Sequence, residues 1–314
     1  MKRFIILFVL VVALCGCGDG GKRCDERGVP YVKLRRGAYM PRLGFSVYNM
    51  GGDYARAAVL EALKCGYRHI DTAHAYNNEV NIGEAIRESG IPRKDIWVTS
   101  KLWPSEYGEG STGRAIDRML KRFGLEYIDL LVLHHPIGEY REAWRDMERA
   151  LRAGKVKALG IYRFDVSEEA YKVITEQMDI KPAVHQIECH PYAQRQDVIA
   201  RDAAHGIVTE CWYPTGSHAA TILADSTIVA IAQRHSKTPA QVVLRWHIEQ
   251  GRSVIPAINN PDEMEGFIDI FDFELSEEDR AAIDALDRNQ TFENSSLEHI
   301  EYMVIRLPLI DLDY

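Results

Sequence analysis

The stretch that most restricts what this chain can fold into is Gly66–Trp103. Two short apolar runs, His69–Ala73 and Ile96–Leu102, flank a segment with helical character, Glu79–Ser89. Strand, helix, strand is the βαβ unit, which commits a chain to a parallel sheet covered by helices. The alternation extends on both sides. Before the stretch lie a strand, Leu43–Tyr48, and a helix, Tyr54–Cys65. After it come a helix at Thr112–Phe123, the strand Asp129–His134, a helix at Tyr140–Ala153 closed by Gly154, and the strand Lys157–Tyr162. The helix Ser167–Gln177, the strand Ala183–Cys189, the helix Gln196–His205 and the strand Ile207–Trp212 repeat the pattern. Two helices follow, Ile228–His235 and Pro239–Gln250, the second opened by Thr238 as N-cap and Pro239 in the first turn. The eighth strand is Ser253–Ala257, with a helix at Asp262–Phe271. Eight such alternations predict an α/β fold, a (β/α)8 TIM barrel over residues 29–287. A short hairpin, Tyr31–Leu34 and Ala38–Pro41 around Arg36-Gly37, opens this unit, and Arg288–Tyr314 is a tail.

The 314 residues suffice for one such barrel, which needs about 250. A net charge of -8 without a basic stripe argues against nucleic acid as a partner. The first residues read differently from the rest. Met1-Lys2-Arg3 is followed by the apolar run Phe4–Leu14, too short for a bilayer span of about 20 residues. A basic start, a short apolar region and small residues describe a secretory signal. Leu14-Cys15-Gly16-Cys17 resembles a bacterial lipobox, which implies cleavage after residue 16 and lipidation of Cys17. Residues 17–28 then form a tether, and the expected location is an exported, membrane-anchored lipoprotein of periplasm or cell surface. Two of the six cysteines belong to this signal. Cys24, Cys65, Cys189 and Cys211 show no CxxC and no metal spacing, and the last three read as small buried hydrophobes. His190 and His205 read as loop or surface histidines, so no metal is expected.

In a parallel barrel, chemistry sits at the C-terminal ends of the strands. Asp71 and Tyr76 end the first apolar run of the organising stretch, and Lys101 ends the second. A carboxylate, a phenol and an amine together make a proton-transfer site. A lysine ammonium beside the phenol lowers the phenol pKa, and a paired aspartate holds that lysine charged and oriented. The run Gly-Tyr-Arg-His-Ile-Asp-Thr-Ala-His-Ala-Tyr-Asn-Asn-Glu, with Val-Thr-Ser-Lys-Leu-Trp, resembles the aldo-keto reductase family over about Val32–Asp287. The fourth strand ends Leu133-His134-His135-Pro136, where the family has His-Trp-Pro after an apolar residue. The resemblance implies that Tyr76 donates a proton to a carbonyl oxygen, that Lys101 paired with Asp71 lowers its pKa, and that His134 orients the carbonyl. It further implies a hairpin closing the barrel floor, a substrate pocket with Tyr48, His135 and Tyr213, a monomer, and NADP(H) or NAD(H) as cofactor.

The cofactor segments depart from the family. Its Gly-Val-Ser-Asn-Phe, where Ser and Asn hold the nicotinamide amide, is Gly160-Ile161-Tyr162-Arg163-Phe164 here. Gln186 survives from the amide-binding set, but its Asn neighbour is His185. Trp212 stands where the family places an aromatic against the nicotinamide ring, followed by Tyr213 in place of Ser. The family's Ile-Pro-Lys-Ser is Ile255-Pro256-Ala257-Ile258, its Arg is Glu263, and its Glu-Asn pair is Gly266-Phe267. Charge-assisted hydrogen bonds contribute about 1.5–3 kcal/mol each, so losing the Lys and Arg costs roughly 10²–10⁴-fold in NADPH affinity.

Three functional readings follow. The first is a reductase-like oxidoreductase acting on a carbonyl or sugar with altered nicotinamide use. The second is an exported, cofactor-free protein that binds a small ligand such as a sugar at the barrel mouth, lined by His135, Tyr162, Arg163, Trp212 and Tyr213. The third is a glycoside hydrolase using two of Asp71, Glu188 and Glu210.

Overall fold

The structure is a computed structural model that describes residues 24–216, 221–258, 260–294 and 296–306. The expected signal segment and Cys17 lie outside the described residues.

A two-stranded antiparallel hairpin, β1 (Tyr31–Lys33) and β2 (Tyr39–Pro41), opens the fold. Eight parallel strands follow: β3 (Phe45–Ser46), β4 (His69–Asp71), β5 (Trp97–Leu102), β6 (Ile128–Leu133), β7 (Val156–Tyr162), β8 (Val184–Glu188), β9 (Val208–Trp212) and β10 (Ser253–Ile255). Each pairs with the next, and parallel bridges Leu43–Val254 and Ser46–Ala257 join the first to the last, so the sheet closes into a barrel. The helices are α1 (Gly52–Cys65), α2 (Glu79–Glu88), α3 (Ser111–Phe123), α4 (Tyr140–Arg152), α5 (Glu168–Lys172), α6 (Gln196–Ala204), α7 (Ser226–His235), α8 (Pro239–Glu249), α9 (Pro261–Ile268), α10 (Glu277–Asp284) and α11 (Leu297–Arg306). The (β/α)8 barrel expected from the alternation is therefore present.

Local chemistry explains the boundaries. Thr238 accepts from the Gln241 N–H while the Gln241 side chain returns to the Thr238 N–H, a capping box that starts α8 with Pro239 in its first turn. Gly66 ends α1 at φ 106°, a left-handed conformation that glycine adopts without a Cβ clash. At Gly83 a Cβ would stand 1.9 Å from the Phe123 carbonyl oxygen, so only glycine lets α2 pack this closely on the end of α3.

Strand alternation sorts the core into two layers. Outward residues such as Ile70, Val98, Leu131, Leu159 and Ile187 pack with the helix ring in one large cluster. Inward residues Trp97, Leu130, Val132, Ala158 and Val184 fill the barrel floor together with Leu34 and Met40 of the hairpin region. The hairpin thus plugs the bottom, and the polar inward residues are left for the top.

Three elements differ from the sequence reading. Only Phe45–Ser46 of the expected Leu43–Tyr48 strand is regular. The helix expected over Ser167–Gln177 is α5 capped by Ser167, continuing into a wider π turn at Val173–Gln177. Hydrophobic periodicity does not distinguish such a turn from ordinary helix. Residues 24–28, read as tether, fold back as a turn in which Asp25 Oδ1 accepts from the Arg27 and Val29 N–H groups, both at 2.9 Å.

Candidate active site

Asp71 closes β4 and Lys101 lies one strand over on β5, both pointing into the barrel. Lys101 Nζ donates to Asp71 Oδ1 at 2.6 Å and to the Thr72 carbonyl at 2.9 Å, and both side chains are 1% exposed. Below them, Gln186 Nε2 uses both hydrogens, one on Asp71 Oδ2 at 2.8 Å and one on Glu210 Oε2 at 2.7 Å. Strands β4, β5, β8 and β9 therefore each supply one member of a buried polar layer. Burial pushes the Asp71 carboxyl up, against the pull of Lys101. Burial, helped by the Asp71 charge, raises Glu210 to about 8, so it is protonated at neutral pH.

Above this layer opens a cavity of about 400 Å³, lined among others by Asp71, Tyr76, Lys101 and His134. The four residues expected to act together are thus gathered at one opening. Tyr76 comes from the single turn His74–Tyr76 after β4, its ring edge-on to Tyr48 at 5.4 Å. Lys101 Nζ lies 5.6 Å from the Tyr76 ring centre while donating to Asp71 and Thr72. The expectation that Lys101 lowers the phenol pKa is not met. Burial dominates, with Asp71 and the phenols of Tyr162, Tyr48 and Tyr213 adding to it, and Tyr76 is held well above its ordinary value. Burial, then His135 and Lys101, holds His134 well below the ordinary histidine range, so its ring is neutral. Its Nδ1 is buried without a hydrogen-bond partner. The site therefore offers an O–H donor and a neutral imidazole to whatever enters.

The walls are aromatic. His134 and His135 stack at 4.8 Å with 14° between planes, and Trp103 stands edge-on to both. Burial, with Arg163, keeps His135 at about 3. Tyr48, Tyr162, Trp212 and Tyr213 also reach the cavity. Trp103, Glu293 and Met303 line it too, and sequence reasoning missed them. For Trp103 a signal existed, since it lies two positions beyond Lys101 and shares its inward direction. Met303 on α11 and Glu293 reach the mouth only because the tail folds over it. Glu188 fastens that tail, its carboxylate accepting from the Phe292 and Glu293 N–H groups at 2.6 and 3.3 Å.

The hydrolase reading fails on this geometry. Glu188 and Glu210 are buried and engaged, by the tail and by Gln186, and neither lines the cavity. His190 is not a surface histidine either: it is fully buried with Nε2 3.1 Å from Glu188 Oε1.

The positions expected around the cofactor are arranged as follows. The Tyr162 ring lies over Trp212, centroids 5.6 Å apart and planes 26° from parallel. Arg163 has left-handed backbone at φ 59° and donates from a terminal nitrogen to the Asn294 carbonyl at 2.8 Å. Tyr213 is left-handed too, at φ 50°. Ala257 reaches the cavity and Ile258 is buried in the core. Glu263 is exposed on α9, while the Gly266 carbonyl accepts from Gln241 Nε2 at 3.0 Å and Phe267 packs on the core.

Residues 47–288 match the model of the Aldo/keto reductase family. The chain belongs to that family. It is 40% identical over 261 residues to an aldo-keto reductase of Mycolicibacterium smegmatis, covering 82% of this chain and 94% of that protein. It is 38% identical to morphine 6-dehydrogenase of Pseudomonas putida, with 82% and 91% covered. Against glyoxal reductase of Bacillus subtilis the identity is 36%, with 82% and 93% covered. Among solved structures, an aldo/keto reductase from Brucella melitensis matches with a TM-score of 0.79 and 42% identity, covering 82% of this chain and 98% of that one. These matches span the barrel. The family normally uses NADP(H) and is one of oxidoreductases.

Proposed function

We propose that this chain is an aldo-keto reductase-type oxidoreductase acting on a small carbonyl or sugar compound, with nicotinamide binding weakened relative to the family. The observation that carries the reading is the assembly of Asp71, Lys101, Tyr76 and His134 at one opening of about 400 Å³. A carbonyl oxygen entering it meets the neutral Tyr76 O–H as proton donor and the His134 ring as a second polar contact that fixes its direction. Lys101, held by Asp71, keeps a positive charge beneath that oxygen, which favours negative charge developing there.

The residues present do not fit a nicotinamide bound in the family manner. The face of Trp212 is covered by Tyr162, and both hydrogens of Gln186 Nε2 are spent on Asp71 and Glu210. The side chains of Ala257, Ile258 and Glu263 supply no cation for a 2′-phosphate. Reduction of a carbonyl by this chain then proceeds with weak nucleotide affinity or not at all. The covered Trp212 face also supports a second reading, a small-ligand binding protein with a polyol or carboxylate at the aromatic mouth.

The experiment is a panel of small aldehydes, ketones and aldoses assayed with NADPH and NADH, comparing the wild type with Tyr76→Phe. Turnover lost in Tyr76→Phe supports the oxidoreductase reading. Turnover absent for every pair, with retained binding of a polyol or carboxylate, supports the binding reading.

The basic start, apolar run and Cys17 support export and lipid anchoring of the chain, and acyl labelling abolished in Cys17→Ser tests it. No helix among the described residues is long and apolar enough to cross a membrane. We take the unit to be a monomer, which light scattering of the purified protein checks.

A further inference from the structure

Strand alternation that sends Gln186 and Glu210 into the barrel sends their neighbours the other way. Ile187 pairs in register with Cys211, and both point outward under the helix ring, with Cys189 on the same side two residues on. There they meet α8, whose last turn carries His247. The two sulfurs and a ring nitrogen of His247 lie within 4.8 Å of one another, and all three residues are fully buried. Sequence spacing does not reveal this cluster, because its members come from two strands and a helix.

We propose that Cys189, Cys211 and His247 form a buried three-coordinate site for a thiophilic monovalent cation, Cu(I).

Three observations carry it. Donors bound about 2.0–2.3 Å from one ion sit roughly 3.5–4 Å apart, so the cluster closes on an ion by moving less than about 1 Å. His247 is poised to be the imidazole ligand. Its Nε2 lies 3.3 Å from the Pro214 carbonyl and donates to it, which leaves Nδ1 as the lone-pair nitrogen, and Nδ1 is buried without a hydrogen-bond partner. That arrangement, with the second nitrogen bonded to a backbone carbonyl, is how proteins orient ligating histidines.

Charge selects the ion. Arg252 is buried beside the cluster, and one of its terminal nitrogens has no hydrogen-bond partner. Its other terminal nitrogen donates to the Gln250 amide oxygen at 3.2 Å and the guanidinium lies 4.6 Å from the Trp246 ring centre, but among the described residues no carboxylate pairs with it. A buried cation without a counter-charge is costly. Two thiolates around Cu(I) leave one negative charge, which Arg252 neutralises. Two thiolates around Zn²⁺ leave none, and the described residues place no fourth histidine, cysteine or carboxylate in the group to complete a tetrahedron. Soft thiolates favour Cu(I) and Zn²⁺ over hard cations, so coordination number and charge decide between the two. Ion binding releases the two thiol protons to solvent.

The test is an anaerobic titration of the reduced full chain with Cu(I) against a chromogenic chelator, followed by X-ray absorption of the loaded protein. Expected are one ion per chain, a shell of two sulfurs and one nitrogen, and a fall in affinity of more than about 100-fold in Cys211→Ser, beyond what outer-shell changes cost. Cys24→Ser and Cys65→Ser leave binding unchanged. Should Cys211→Ser not fold, the absorption shell of the wild type decides alone. The proposal is overturned by retention of no ion, by equal retention in folded Cys211→Ser, by a shell lacking nitrogen, or by Zn²⁺ held in preference to Cu(I). A Cys189–Cys211 disulfide in protein isolated without reductant, with no ion bound after reduction, also overturns it.

Discussion

Replacing Lys101 with Met removes the ammonium but keeps most of the stem that fills the barrel. Asp71 is then left 1% exposed with Gln186 Nε2 as its side-chain donor among the described residues, in place of a 2.6 Å ion pair. Breaking a buried pair from one side costs about 3–5 kcal/mol, a large share of a total stability of about 5–15 kcal/mol. With a urea slope of about 2–3 kcal/mol/M, the unfolding midpoint falls by roughly 1–2 M. Adding Asp71→Asn removes the stranded charge, so the double variant regains about 2 kcal/mol or more of that loss. A pH signature accompanies it. Without Lys101 the folded Asp71 pKa rises further above its unfolded value near 3.9, so stability is retained below that value and lost as pH rises through the folded pKa. The Lys101→Met deficit is therefore smaller at pH 5 than at pH 8. The assay is urea unfolding followed by tryptophan fluorescence at both pH values. A Lys101→Met cost under about 1 kcal/mol, or additive single and double variants, would refute the reasoning.

Glu210 offers the same test with no ion pair involved. Its folded pKa of about 8 lies above an unfolded value near 4.3, so its contribution is present below pH 4.3 and lost as pH rises through 8. Glu210→Gln should gain about 1–3 kcal/mol on the wild type between pH 5 and pH 8.5, read from urea midpoints at each. Tyr162→Ser uncovers the Trp212 face. Since an aromatic stack contributes about 0.5–1.5 kcal/mol, NADPH affinity should rise up to about tenfold from the stack alone, and further as space opens, measured by calorimetry. Gly83→Ala puts a Cβ 1.9 Å from a backbone oxygen, so thermal unfolding should shift down by several degrees, at a cost of about 1–3 kcal/mol.

The barrel was legible because each strand–helix pair leaves a local signature and βαβ units have one practical way to close. Asp71 and Lys101 were legible because they lie on strands, where direction follows from alternation, and Tyr76 and His134 through the motif that resembles the family. What stayed hidden depends on contacts between distant segments. The tail's hold on Glu188 places Glu293 and Met303 at the mouth, and no local pattern encodes that. The Tyr76 pKa was misjudged because Lys101 turns to Asp71 and the Thr72 carbonyl, leaving burial to dominate. His190 looked like a loop residue, yet Glu188 draws it into the interior. Cys189, Cys211 and His247 meet only once the sheet and its outer helix pack.

The most direct test of the central claim is a calorimetric titration of NADPH and NADH into the reduced wild-type chain. With Tyr162 over Trp212 and Gln186 committed to the carboxyl groups of Asp71 and Glu210, the expected result is no binding tighter than about a millimolar for either nucleotide, and a measurable gain in Tyr162→Ser. Micromolar binding of NADPH by the wild type, unchanged in Tyr162→Ser, would contradict it.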